Sequence, residues 1–570
     1  MGSSDGMTTQ TCDVLVIGSG AGGLATAIVA AKHGLDVLVI EKEPLIGGTT
    51  AISGGVLWIP GARHCKANAP GDTREAMKTY LRHETGNFYR DDVVDAFLDN
   101  GPAMLDWFER ETSVRFIPTL YPDYHPNVPG GVDIGRAVMA EPFDVTGLGA
   151  DLKRFRPPLE TITFMGMMFN SANADLKHFF QATKSATSAA YVARRLASHM
   201  KDLALHGRGV KATSGNALAA RLVRSALDLA IPILTSTPAR DLMVADGRVT
   251  GAIVSRPDGD LHVTARRGVV LACGGFPHDK ARTARAYPHV ARGGEHLSPT
   301  PSGNTGDGVR LAEAAGGRCE IRLAAPAAWI PVSKVPLGGG RTGVFPHLLD
   351  RYKPGVIAVN RKGRRFCNES ESYHDVGAAI IRDGEGEPET AAWLVCDHPT
   401  IRKYGLGYVK PAPMPLGKFL KSGYIHRGAT LEDLARAAGI DAAGLAATIG
   451  RFNVGAEQGD DPEFGRGTTA FNRYLADPAV KPNPCVAPIR TGPFYALKIV
   501  VGDLGSFDGL STDTVGRVLD AEDQPIAGLY AVGNDRASMM GGNYPGAGIT
   551  LGPIMTFGYI AGRHLAGVQQ

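Results

Sequence analysis

One stretch constrains this chain more than any other: Asp13-Val-Leu-Val-Ile-Gly18-Ser-Gly20-Ala21-Gly-Gly23, closed by Val37-Leu-Val-Ile-Glu41. Val14 to Ile17 is a short apolar run suited to a buried parallel strand, and Gly18, Gly20 and Gly23 fall at G-x-G-x-x-G spacing before an Ala-rich helix. Without side chains there, the backbone turns tightly, approaches a pyrophosphate and aims the first N–H groups of the helix at it. Glu41 ends the second strand, where a carboxylate accepts from ribose hydroxyls and repels a 2′-phosphate, which disfavours NADP. Glycines alone form many turns; strand, glycines, helix, strand and acid in this order predict a βαβ unit that holds a dinucleotide.

The residues that follow favour FAD over NAD. Lys42 and the run Gly47-Gly48-Thr49-Thr50-Ala-Ile-Ser53-Gly54-Gly55 add glycine pairs and hydroxyls, as a site tracking a long cofactor from ribose towards its ring system requires. Further along, Gly268-Val-Val-Leu-Ala-Cys-Gly274-Gly275 reads as a buried strand ending in glycines, and Ser302-Gly-Asn-Thr-Gly306-Asp307-Gly308 as a second backbone cradle before a helix. The C-terminal segment returns to the cofactor with Gly533-Asn534 and with Ile549 before an apolar helix from about Thr550, whose positive end favours the negative charge of reduced flavin.

The expected fold is therefore α/β: a two-dinucleotide-binding, Rossmann-like FAD domain (1–320 and 500–570) with an inserted α+β substrate domain (321–499). The inserted segment carries the turn Pro411-Ala-Pro-Met-Pro415 and a helix from Asp441 with apolar Leu445, Ile449 and Phe452 on one face. With 44% hydrophobic and 21% charged residues, the composition is that of an ordinary globular protein. A net charge of +3 without a run of basic residues argues against nucleic acid as a partner, and so against an RNA-modifying or scaffold role.

Seven cysteines without C-x-x-C spacing read as reduced thiols of a cytoplasmic protein, and the histidines show no H-E-x-x-H or Cys/His cluster, so no metal site is expected. Met1 to Gly6 reads as an added tag before a start at Met7, with no secretory leader or apolar span following. Phe164 to Asn170, Leu176 to Phe180 and Tyr191 to Lys201 mix Met and Phe with Lys and Arg. Two readings fit them: core packing with a solvated basic face, or a lid or peripheral membrane helix over a substrate entrance.

Several blocks, in order along most of the chain, resemble the 3-ketosteroid Δ1-dehydrogenase family of the fumarate reductase and succinate dehydrogenase-like flavoproteins. They are Tyr121-Pro-Asp-Tyr124-His-Pro, Val359-Asn-Arg-Lys-Gly-Arg-Arg-Phe-Cys-Asn368-Glu369-Ser-Glu-Ser-Tyr373, Asp461-Pro-Glu-Phe-Gly-Arg-Gly467, Gly502-Asp-Leu-Gly and Asn543-Tyr544-Pro-Gly-Ala-Gly548. The resemblance implies an FAD-dependent dehydrogenase that places a C=C bond next to the ketone of a cyclic substrate, foremost a 3-ketosteroid. Relatives that act on smaller cyclohexanone-type ketones, or that carry out steroid Δ4-dehydrogenation, share several blocks. It also implies roles: Tyr544 and the Gly548 N–H polarise the ketone, Tyr373 takes the proton, and Tyr124 is its partner, with Tyr121 a rival three residues away. His125 and His374 adjoin these tyrosines and read first as structural hydrogen-bonders. Where the succinate dehydrogenase branch holds a flavin-linking histidine, no histidine lies between Gly47 and Gly55, which implies non-covalent FAD. Where a fumarate reductase carries the first arginine of Arg-Leu-Gly-Gly-Asn, this chain has Met539, although Arg536 is near. The electron acceptor, a quinone or a carrier protein, leaves no motif.

Overall fold

The computed structural model describes residues 8–169, 178–179, 185–257, 259–320 and 323–568. The expected tag at Met1 to Gly6, and Asn170, Leu176, Lys177 and Phe180 of the Met- and Phe-rich stretch, lie outside these residues. Two sheets organise the rest. The first is built on the predicted βαβ unit: Thr8–Ile17, the helix Ala21–Lys32 and Val37–Ile40. Thr8–Ile17 pairs in parallel with Val37–Ile40 on one side and with Gly259–Leu271 on the other. Ile233–Leu234 extends the sheet in parallel beyond Val37–Ile40, and Pro525–Ala531 does so beyond Gly259–Leu271. The antiparallel strands Arg248–Arg256, Ala239–Ala245 and Arg517–Leu519 complete eight strands. Val14 to Val16 and Val37 to Ile40 are buried on both faces, which accounts for their unbroken apolar character.

The C-terminal helix Leu551–Leu565 packs on Ala21–Lys32, and the small residues Gly558 and Gly562 meet the latter within 3 Å of a would-be Cβ, letting the backbones approach closely. The second sheet is antiparallel, in the order Arg341–Pro346, Ala327–Gly338, Phe494–Ser506, Ala391–Cys396, Val356–Val359, with His426–Gly428 also paired to Phe494–Ser506. The helix Ala442–Glu457 covers the position expected from its apolar face, with Leu445, Ile449 and Phe452 buried. The domain boundary expected at 499/500 falls inside a strand. Phe494–Ser506 stays paired in the second sheet to its last residue, Ser506 opposite Ala327, so Gly502-Asp-Leu-Gly belongs there and not to the cofactor layer. None of the seven cysteines is paired, and among the described residues no helix is long and apolar enough to cross a membrane.

Candidate active site

The loop after the first strand opens a cleft of about 850 Å³ at the C-terminal ends of the parallel strands. Gly18 takes φ +115° there, and a Cβ would stand 2.1 Å from the Ala272 carbonyl, so only glycine lets this strand end beside its neighbour. Of the expected cofactor residues, Gly18, Gly20, Ala21, Glu41, Lys42, Gly48, Thr49, Thr50, Gly274, Asp307, Gly533 and Asn534 line the cleft. Ile549 lines an adjoining cavity of about 380 Å³, which shares Gly533, Asn534 and Ile554 with the cleft.

Four expected cofactor residues instead support the walls. A side chain at Gly23 would meet the Gly18 carbonyl at 2.2 Å, and one at Gly55 the Gly215 nitrogen at 2.2 Å. The Ser53 hydroxyl donates to Thr50 O, and the Gly275 N–H donates to Asp535. Gly54 is exposed, with open space around it.

The cleft suits an anionic dinucleotide. Gly20 caps the first helix without a side-chain bond, while Ala21 N–H donates to Thr50 Oγ1 at 3.0 Å. A Cβ on Gly20 would meet no atom closer than 3.9 Å and would project into the cleft. One Glu41 oxygen accepts from the Ser19 N–H (3.0 Å) and hydroxyl (2.6 Å), the other from Glu43 N–H (2.9 Å). A carboxylate accepts about four hydrogen bonds, so one acceptor position remains for a ribose. Lys42 Nζ bridges to Asp307 at 2.7 Å and to Thr305 Oγ1 at 2.6 Å, joining the two cradles read from the sequence.

Sequence reasoning missed three residues. Ser19 holds Glu41, and Arg156, paired with Glu43 at 3.6 Å, lines the cleft with its buried Nε without a hydrogen-bond partner among the described residues. Asp535 accepts from the Cys273 and Gly275 N–H groups, at 2.5 and 3.0 Å, and burial pushes its carboxyl up to about 6. Its place beside Gly533-Asn534 was the available signal.

The three tyrosines singled out by the motifs converge although they come from distant parts of the chain. The Tyr124 and Tyr373 hydroxyl oxygens lie 3.3 Å apart. The Tyr544 ring stacks against Tyr124 with centroids 5.6 Å apart and meets Tyr373 edge-on at 4.9 Å. Tyr121 packs its ring on Tyr474 at 4.6 Å. Tyr124 is held by its N–H to Pro545 O and by the buried neighbour Asp123, which accepts from Trp58 Nε1 and Arg136. Tyr373 starts the helix Tyr373–Asp383, capped by Ser372, and follows Glu369, which is buried between Arg365 and Arg466.

Gly548 takes φ +91°, and a Cβ would stand 2.3 Å from the Val56 carbonyl. Its N–H has no acceptor among the described residues, whereas its carbonyl accepts from Trp58. Burial drives the Tyr124 and Tyr373 phenols well above the ordinary range; Tyr124 and Tyr544 raise Tyr373 further, and Tyr544 raises Tyr124 while its hydrogen bond with Tyr373 pulls the other way. Burial also raises Tyr544, while contacts with Tyr373 and Thr550 pull the other way.

His374 behaves as expected of a structural residue: its Nδ1 accepts from Trp329 N–H, and burial lowers it to about 4, leaving it neutral. His125, Glu371 and Asp375 come close enough to share an ion, a juxtaposition no spacing signalled, but both His125 ring nitrogens are hydrogen-bonded to carboxylates. The adjoining cavity contains a single arginine, Arg536, whose guanidinium lies over Phe557 and whose Nε donates to Thr512. One cation is half of what a clamp on two carboxylates needs.

Residues 13–551 match the family described as FAD binding domain. The chain is 44% identical to the 4-oxocyclohex-2-ene-1-carboxylate 5-dehydrogenase of Sinomonas cyclohexanicum, over 98% of this chain and 94% of that protein. It is 37% identical to the 3-oxosteroid 1-dehydrogenase of Mycolicibacterium smegmatis, over 98% of both. Among solved structures it resembles the 3-ketosteroid Δ1-dehydrogenase of Sterolibacterium denitrificans in complex with 1,4-androstadiene-3,17-dione, with a TM-score of 0.89 and 37% identity over 98% of this chain and 100% of that one. A flavocytochrome c3 fumarate reductase, 21% identical with a TM-score of 0.64 over 99% of this chain and 79% of that one, shares the fold. The cleft, the motifs and these relatives agree: the chain belongs to the FAD-binding flavoprotein family, within its 3-ketosteroid Δ1-dehydrogenase branch, and is an FAD-dependent dehydrogenase.

Proposed function

We propose that the protein desaturates a cyclic ketone next to its carbonyl, and the convergence of Tyr124, Tyr373 and Tyr544 beside Gly548 carries this reading. FAD, held without a covalent link in the cleft, supplies the hydride acceptor. Tyr544 Oη and the Gly548 N–H donate to the ketone oxygen and stabilise the charge that gathers there as the α-proton leaves. Tyr373 Oη takes that proton, and Tyr124, 3.3 Å away, relays it outward. Loss of a proton from one carbon and of a hydride from the next leaves the enone.

A 3-ketosteroid is the first substrate class, supported by the steroid-acting relatives at 37% identity. A second reading, a small carboxylated cyclohexenone, is favoured by the relative at 44% identity and by Arg536, a buried cation lining the adjoining cavity with no carboxylate bonded to it. Anaerobic mixing with 4-androstenedione, with cyclohexanone and with 4-oxocyclohex-2-ene-1-carboxylate, followed by flavin absorbance, separates the readings. Bleaching by none of them sinks both.

The electron acceptor, a quinone or a carrier protein, belongs to the same proposal, as does contact with a membrane surface. The helix Ala186–His206 exposes Tyr191, Met200 and Leu205 alongside its basic residues. Liposome sedimentation tests that contact.

A further inference from the structure

Tyr124, Tyr373 and Tyr544 sit on three separate segments, and one chain of polar contacts touches all three. His125, next to Tyr124, places Nδ1 at 2.9 and 3.0 Å from the two Glu84 carboxylate oxygens and Nε2 at 3.0 Å from Asp375 Oδ2. Asp375 lies two residues beyond Tyr373 in the first turn of the same helix, and its carboxylate also accepts from the Ser372 hydroxyl at 2.5 Å. Glu84 ends the helix Arg74–Thr85, and its backbone carbonyl accepts from the side chain of Asn543, the residue before Tyr544.

Only a protonated imidazole donates from both nitrogens. Against burial, which works the other way, the bonds to Asp375 and Glu84 push His125 up to about 11. The other groups facing this cluster are Glu371, raised by burial, Arg351 beyond it, and the neutral His374. Glu84 is buried, and His125 and Asp375 are about one third exposed, so these are charge-assisted bonds at the edge of the core.

At 3.3 Å the Tyr124–Tyr373 contact is longer than an ordinary O–H···O bond, so it adds little to holding its two segments in place. We infer that the Glu84–His125–Asp375 strut sets the distance between these hydroxyls, and that His125 is the positioning residue of the proton-abstracting pair. The inference rests on the reading of Tyr373 as the base. A misplacement of ~1 Å in such a pair costs on the order of 100-fold in rate.

The test uses the FAD-loaded enzyme and its His125→Gln variant, with 4-androstenedione and 4-oxocyclohex-2-ene-1-carboxylate as ketones, and Tyr373→Phe alongside. Whichever ketone reduces the wild-type flavin is then followed. The expected result is ketone affinity within about 3-fold of wild type, because the polarising donors are untouched, with flavin reduction at saturation and exchange of the substrate's α-hydrogen with solvent deuterium both lowered at least ~10-fold. Wild-type reduction and exchange in His125→Gln, beside an inactive Tyr373→Phe, overturn the strut and leave the base in place. Weakened affinity with an unchanged saturating rate also overturns it. Persistent exchange in Tyr373→Phe instead removes the reading beneath. Should His125→Gln fail to fold, Asp375→Asn cuts one end of the strut and must show the same loss; wild-type behaviour there overturns the inference.

Discussion

At the scale of single residues, burial raises all three tyrosine phenols, which serves one of the proposed tasks and opposes another. A ketone-polarising hydroxyl must stay protonated, and burial of Tyr544 keeps it so at neutral pH. Tyr544→Phe should therefore keep fold and flavin yet slow flavin reduction by two to three orders of magnitude, the ~3 kcal/mol that one lost oxyanion donor costs. Stopped-flow reduction at saturating ketone measures it, and a near-normal rate moves the ketone elsewhere. Tyr373 has the opposite need. Burial and its tyrosine neighbours raise its phenol, so the proton-abstracting form is scarce at neutral pH. Since deprotonation supplies the active form and the raised value lies above the working range, the reduction rate should climb with pH up to the limit of enzyme stability. A rate that stays flat from pH 7 to ~10 argues against a phenolate base.

Among elements, the segment from Val359 to Tyr373 owes its charge pattern to architecture. Glu369 accepts from Arg365 at 2.8 Å and lies 3.2 Å from Arg466, and Arg365 also bonds Asp461 at 2.8 Å, all of them buried. Glu369→Ala leaves two guanidinium groups without their shared carboxylate, and breaking such a buried pair costs ~3–5 kcal/mol. Thermal or denaturant unfolding should show that loss; a variant within ~1 kcal/mol of wild type would show the network to be dispensable.

The βαβ unit and the helix from Asp441 were legible in sequence because a period and a terminator are local signals. The strut through Glu84, His125 and Asp375 was not, since nothing near His125 announces partners 41 and 250 positions away. The strand Phe494–Ser506 was cut at 499/500 for a related reason. Its Gly502-Asp-Leu-Gly looks like a loop, yet Gly502 pairs with Ile330 because the approach of Leu297 O leaves room for no side chain.

For the molecule as a whole, FAD bound in the cleft would be part of the packing. The cleft of about 850 Å³ is walled by residues from both ends of the chain, from Gly18 to Asn534. Holoprotein should be yellow and should release intact FAD on acid precipitation. Removing FAD should lower the melting temperature, and adding it back should restore it in a concentration-dependent way, by ~2.7 kcal/mol at 100 times the Kd. Flavin that stays with the precipitate would point to a covalent link. Motif order along the chain carried the architecture, whereas the tyrosine cluster depends on how the two sheets meet, which no local pattern encodes.

Tyr373 rides on the helix packed against the second sheet, whereas Tyr124 sits in a loop bridged to the C-terminal segment through Asp123 and Gly546. An opening that parted these two segments would separate Tyr373, the proposed base, from Tyr124. On the proposed roles, a ketone that met Tyr373 and Tyr124 apart would find no competent base, keep its α-proton and leave unchanged.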